Sequence, residues 1–200
     1  MEDQNPQSPS FGFVEIPKIF MSDLTGAPIQ ECISCNCNLT EPGKDYLIEK
    51  AIKPYKGFKA YSTIFEYAIC MPCANDMQNK ISKESRKKID AYFQKNIEMA
   101  VRKADLRREA DQSVEKWLER CVINGMYVEE ISECQIYAHC QGEHLVMHDF
   151  PYMVSGPALD EVVDLLSNQT LDDQENFKNN YVDGPSEFQD LLKSGPKVFI

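Results

Sequence analysis

Cysteine is the side chain of this sequence best placed to do chemistry, and four of its eight cysteines form two Cys-x-x-Cys pairs, Cys32 with Cys35 and Cys70 with Cys73. A two-residue spacing brings two sulfurs to one side of a tight turn, and two such turns complete the four-thiolate tetrahedron that zinc prefers. A closed site of this kind has no open position for a substrate, so its zinc supplies folding energy and not Lewis acidity. The competing readings are reduced structural thiols and a redox Cys-x-x-Cys. Redox motifs come singly in a βαβ context that is missing around these pairs. Cys37 creates a second turn, Cys35-Asn-Cys37, which leaves open whether it replaces one ligand of the first pair. The two-residue spacing is the commoner knuckle and is favoured here.

A second constellation holds Cys121, Cys134, His139, Cys140, His144 and His148, with all three histidines of the chain. It suggests a possible second metal site of Cys121, Cys134, Cys140 and His139, against the reading of buried thiols and ordinary surface histidines. Glu143 beside His144 also raises a zinc-dependent hydrolase or nuclease working from the His139–Asp149 region. If 145–150 is a strand, His144 and His148 lie about 13 Å apart at roughly 3.3 Å per residue and cannot share one ion. No His-Glu-x-x-His pattern, Gly-x-Ser-x-Gly elbow, phosphate-binding glycine loop or dinucleotide fingerprint occurs, so no catalytic residue is assigned.

The elements that must position these residues follow from composition and pattern. With 42% hydrophobic and 26% charged residues the chain is globular in character. Residues 1–10, rich in Pro, Gln, Asn and Ser, read as a disordered tail, and 11–20 as an apolar segment packing on a first module of residues 11–82. Residues 45–52 and 61–69 read as strands around the Pro54-Tyr-Lys-Gly57 turn, a hairpin leading from the first cysteine pair to the second. Helix-forming residues begin directly after Cys73. Cysteine turn, hairpin, and a second cysteine pair opening a helix resemble the treble-clef zinc fingers over about Cys32 to Ile81. The resemblance implies that Cys32, Cys35, Cys70 and Cys73 are structural ligands.

Beyond Ser82 and Ser85, candidate N-caps, apolar residues at spacings of three to four run from Ile89 to Cys121 and predict one amphipathic connecting helix over 83–120. Twelve of the 21 basic residues lie between Lys80 and Arg120, interleaved with acidic ones. That pattern reads as a solvated helix face before it reads as a nucleic-acid groove. Residues 121–200 then form an acidic α+β module carrying 14 acidic and 3 basic side chains, which holds the whole net charge of −11. Residues 67–85 align without gaps on 152–170, matching Tyr67 with Tyr152, Pro72 with Pro157, Ser82 with Ser167 and Ser85 with Thr170, while Cys70 and Cys73 become Ser155 and Ala158. The second module is on this reading a possible metal-free copy of the first.

The expected class is therefore α+β, comprising a treble-clef-like zinc module, a connecting helix and a second α+β module. The expected role is that of a zinc-stabilised binding or adaptor protein with zinc as its cofactor. Its partner is expected to be a protein with a basic or neutral surface; the acidic excess disfavours nucleic acid. The acidic, polar first residues and the absence of an apolar run near 18 residues lead to the expectation of a cytoplasmic protein outside the membrane.

Overall fold

In the computed structural model, which describes residues 12–58, 60–108 and 113–182, a six-stranded antiparallel sheet carries six helices. The tail over 1–10 and the apolar end at 198–200 lie outside the described residues. The strands are β1 (Phe13–Glu15), β2 (Asp45–Pro54), β3 (Tyr61–Cys70), β4 (Cys134–Gln141), β5 (His144–Val146) and β6 (Tyr152–Ser155). Their order is β1-β5-β4-β2-β3, with β6 sharing with β5 the edge of β4 that β2 does not use.

Strand β2 shows why the sheet is buried on both faces. Its alternation places Tyr46, Ile48 and Lys50 on one side and Leu47, Glu49 and Ala51 on the other, and all but Leu47 are buried. The two charged members are satisfied inside. The Lys50 ammonium bonds Asp23 at 2.7 Å, Glu66 at 2.9 Å and the Met21 carbonyl at 3.1 Å, while the Tyr67 hydroxyl donates to Glu49 at 2.6 Å.

The sheet joins what the sequence suggests as separate modules. β2 pairs with β4 along its length, from Asp45 opposite Gln141 to Ile52 opposite Cys134. The apolar segment of 11–20 reaches across the same divide. β1 pairs with β5, Phe13 opposite Val146, while Ile16 and Phe20 enter the core.

The connecting helix over 83–120 is not continuous. It is broken into α2 (Lys83–Asn96), α3 (Met99–Arg108) and α4 (Val114–Trp117). The Asn96 amide donates to the Tyr92 carbonyl at 2.8 Å, and Ile97 is extended; a side chain bonding its own backbone competes with the next helical turn. α4 restarts on Ser113, whose hydroxyl accepts the Lys116 N–H. The apolar spacing that suggested one helix serves two environments. Ile89, Phe93 and Ile97 line a 520 Å³ groove with Leu47, Tyr137 and Tyr152 of the sheet, whereas Val101 is half exposed. What anchors α3 is polar: the Arg102 guanidinium donates to the Trp117 and Pro151 carbonyls at 2.7 and 3.0 Å and lies over the Trp117 ring.

Two strand–helix–helix runs flank the sheet centre. β3 leads into α1 (Met71–Lys80) and α2, and β6 leads into α5 (Gly156–Val163) and α6 (Asn168–Phe177). Pro72 and Pro157 lie in the first turns of α1 and α5, and Ser82 and Ser167 cap α2 and α6. The two caps meet. The Ser82 N–H donates to Thr170 Oγ1 at 3.1 Å and the Ser167 N–H to Ser85 Oγ at 2.8 Å, with the Ser82 and Ser167 hydroxyls 2.9 Å apart. In the sheet, Glu49 opposite Tyr137 is the midpoint of the arrangement, since Tyr67 lies beside Glu49 as Tyr152 lies beside Tyr137.

Candidate metal centre

Residues 30–39 form the first cysteine turn. The Cys32 N–H donates to the Cys37 carbonyl at 3.0 Å, the Asn36 N–H to the Cys32 carbonyl at 2.8 Å, and the Leu39 N–H to the Gln30 carbonyl at 2.7 Å. Asn36 sits at φ 57°, a left-handed conformation that asparagine tolerates better than most residues. The Ile33 N–H ties this turn to the Ala68 carbonyl of β3 at 2.9 Å, and the Cys70 N–H donates to Cys32 Sγ at 3.4 Å. The second pair is set by the β3–α1 junction, where Cys70 ends the strand and Cys73 lies in the first helical turn.

The outcome is a cluster. The sulfurs of Cys32, Cys35, Cys70 and Cys73 all lie within 4.8 Å of one another, and those of Cys35 and Cys70 are 3.7 Å apart. A tetrahedron with metal–sulfur bonds of about 2.3 Å has an edge of about 3.8 Å, so the donor set fits a four-coordinate soft or borderline metal ion. All four are free thiols. Cys32 and Cys70 are buried, Cys73 is partly buried and Cys35 is exposed.

The thiols do not ionise alike. The Cys37 N–H directed at its sulfur holds Cys35 down to about 6. Burial pushes Cys73 up to about 12, with the thiols of Cys70 and Cys35 adding to the shift, and burial also raises Cys70. One thiolate forms readily while Cys70 and Cys73 resist joining it, an arrangement that a bound cation inverts by supplying the missing positive charge. Cys37 is packed beside this group and burial pushes it up to about 12, but the four close sulfurs belong to the two two-residue pairs.

The second constellation is not brought together. Among the described residues only the Cys32 group places three or more potential ligands within reach of one ion. Cys134 and Cys140 lie six residues apart on β4, about 20 Å at roughly 3.3 Å per residue. Burial pushes both up to about 12, which keeps them as thiols where a metal needs thiolates. His139 points to the other face of β4, where Nε2 meets Asp45 at 3.0 Å. Cys121 instead bridges to Met153 of β6.

The remaining residues of the hydrolase reading are also dispersed. Exposed His144 on β5 meets the Phe13 ring edge-on, His148 Nδ1 lies 3.2 Å from its neighbour Asp149, and Asp149 is held by Lys103 at 2.6 Å. Several basic residues of 80–120 have acidic partners, Lys88 with Glu84 and Lys116 with Glu119. No helix among the described residues is long and apolar enough to cross a membrane. Comparison with known proteins finds no matching family model, curated protein or solved structure.

Sequence reasoning overlooked the partners that hold the site: Asn36 at its left-handed turn and Ile33, whose N–H ties the turn to Ala68 of β3. The signal available was the Cys-Asn-Cys run, in which asparagine follows Cys35 directly.

Proposed function

We propose that this chain is a zinc-stabilised binding or adaptor protein whose first cysteine turn, β2–β3 hairpin and α1 form a treble-clef-like finger. The observation that supports it is the closure of four sulfurs within 4.8 Å, which fills a tetrahedral ion with protein ligands and leaves no position for a substrate. Zinc is the favoured occupant because four thiolates suit a soft or borderline ion of tetrahedral preference.

The partner surface is the acidic face of α5 and α6, where Asp160, Glu161, Asp164 and Asp172 are exposed, suited to a protein with a basic or neutral surface. The purified chain should carry one zinc. Chelation should unfold the segment around Cys32 and Cys70, and a chain that is metal-free with an unchanged melting curve overturns the zinc reading. Reversing Asp160, Asp164 and Asp172 to lysine should weaken partner capture at unchanged zinc content. Capture that survives the reversals removes the acidic face from the proposal.

A further inference from the structure

The turn of residues 119–128 repeats that of residues 30–39 bond for bond. The Cys121 N–H donates to the Met126 carbonyl at 2.8 Å, as Cys32 does to Cys37 at 3.0 Å. The Gly125 N–H reaches the Cys121 carbonyl at 3.0 Å, as Asn36 reaches Cys32 at 2.8 Å. The Val128 N–H reaches the Glu119 carbonyl at 2.9 Å, as Leu39 reaches Gln30 at 2.7 Å. Gly125, at φ 72°, repeats the left-handed Asn36 at φ 57°. The Val122 N–H bonds the Met153 carbonyl of β6 at 2.9 Å, just as Ile33 bonds Ala68 of β3. Most telling is the sulfur. The Ser155 N–H donates to Cys121 Sγ at 3.3 Å, and the Cys70 N–H donates to Cys32 Sγ at 3.4 Å.

This correspondence places Asn124 at the position of Cys35, Ser155 at that of Cys70 and Ala158 at that of Cys73. Where the first half brings Cys35 and Cys70 sulfurs to 3.7 Å, the second has a direct bond, Asn124 Nδ2 to Ser155 Oγ at 2.9 Å. The same hydroxyl accepts the Ala158 N–H at 3.4 Å. An amide and a hydroxyl thus join the turn to the helix start, the two pieces that the thiol cluster joins in the first half.

We propose that residues 113–170 are a second copy of the metal module that keeps the metal-binding backbone as a latent site, with Cys121 as its surviving ligand. Asn124→Cys, Ser155→Cys and Ala158→Cys together should restore a four-thiolate site for a soft or borderline divalent ion such as zinc or cobalt. On binding, the four thiols release their protons to solvent as their sulfurs ligate the ion.

The test is a cobalt titration of the full chain, reading the stoichiometry and the visible absorption of tetrahedral cobalt thiolate. The triple variant should bind one ion more per chain than the unaltered protein does. This difference is independent of whether the unaltered chain holds one ion or none, so the zinc reading can fail while the latent site stands. A triple variant that folds, by circular dichroism, and gains no ion overturns the proposal.

The reciprocal exchange keeps the question decidable if the triple variant does not fold. Cys35→Asn, Cys70→Ser and Cys73→Ala, with Cys32 retained, should yield a first half that is metal-free and resists chelator. If it melts no higher than the variant with alanine at all three positions, the hydrogen bonds do not substitute for the metal and the proposal fails.

Discussion

The turn of 30–39 on the β3–α1 junction and the turn of 119–128 on the β6–α5 junction share a backbone and differ in what closes it. Each makes the same N–H to carbonyl bonds within a few tenths of an ångström, and each aims a strand-end N–H at a cysteine sulfur. The other three corners are thiols in the first and an amide, a hydroxyl and a methyl group in the second. Knuckle shape therefore follows from backbone bonds and one left-handed residue, while the corner chemistry decides where stability comes from. The helices agree. α1 buries only Ala74, whereas α5 buries Gly156, Ala158, Leu159 and Val162. Burying a leucine or valine contributes about 1.5–3 kcal/mol, which offsets part of what a structural metal supplies.

The largest test of this contrast removes the ion proposed for the first turn. Structural zinc contributes on the order of 10 kcal/mol, comparable to the whole stability of a domain. Cys73→Ala or chelation should therefore release α1 and residues 30–39 to rapid hydrogen exchange while α5 and residues 119–128 stay protected. Equal loss of protection in both halves would show that the continuous β2–β4 ladder makes them one cooperative unit. Next in size is Leu159→Ala, which empties a buried site on α5 and should cost about 2–5 kcal/mol in urea unfolding. The cost should be the same with and without chelator; a cost below about 1 kcal/mol means that something other than burial holds α5.

The contact between the halves is tested by its hydroxyls. Ser85 and Thr170 are buried and lie 3.1 Å apart, each accepting the N–H of the opposite cap. Ser85→Ala or Thr170→Val leaves an N–H unpaired and should cost about 1–3 kcal/mol each. The double variant should cost less than the sum, since the two share one network; strict additivity would mean that the caps act independently. Smaller again is the left-handed residue. Asn36→Gly should be nearly neutral and Gly125→Ala should cost about 1 kcal/mol, the latter from backbone alone because nothing lies within 4 Å of the added carbon.

Local rules made much of this legible from sequence, and pairing made the rest illegible. Cys-x-x-Cys spacing located the four close sulfurs, the period of two located β2 and β3, and Ser82 with its cap partner Ser85 is a three-residue signal. Cys121 was grouped with Cys134 and Cys140 because they are near in sequence, but only the fold shows that Cys121 pairs with β6 while the other two lie along β4. The apolar period of 83–120 contains no mark of the break at Ile97, since the bond that favours it is made by an asparagine side chain, which an apolar period does not count. The turn of 119–128 carries one cysteine where its counterpart has three, so a search for cysteine pairs passes over it.

The last comparison sets the two halves against each other in acid. Asp23 is held below the usual carboxylate range by its bond from Lys50, and Asp149 by its bond from Lys103. A depressed carboxylate contributes stability above its unfolded value, near 3.8, and loses it as pH falls through the lower folded value. Both contributions should therefore fade below about pH 4. They should differ in size. Lys50 is fully buried between Asp23 and Glu66, while Asp149 has 47% of its side chain exposed, where water screens the pair. Lys103→Met should shift acid unfolding by less than about 1 kcal/mol relative to the unaltered chain, and Lys50→Met by more, because Glu66 loses its partner within the fold. Acid unfolding curves of the two variants in the same buffers measure the difference; a larger effect at Lys103 would show that the loop around Asp149, and not the buried lysine of β2, is the electrostatic anchor.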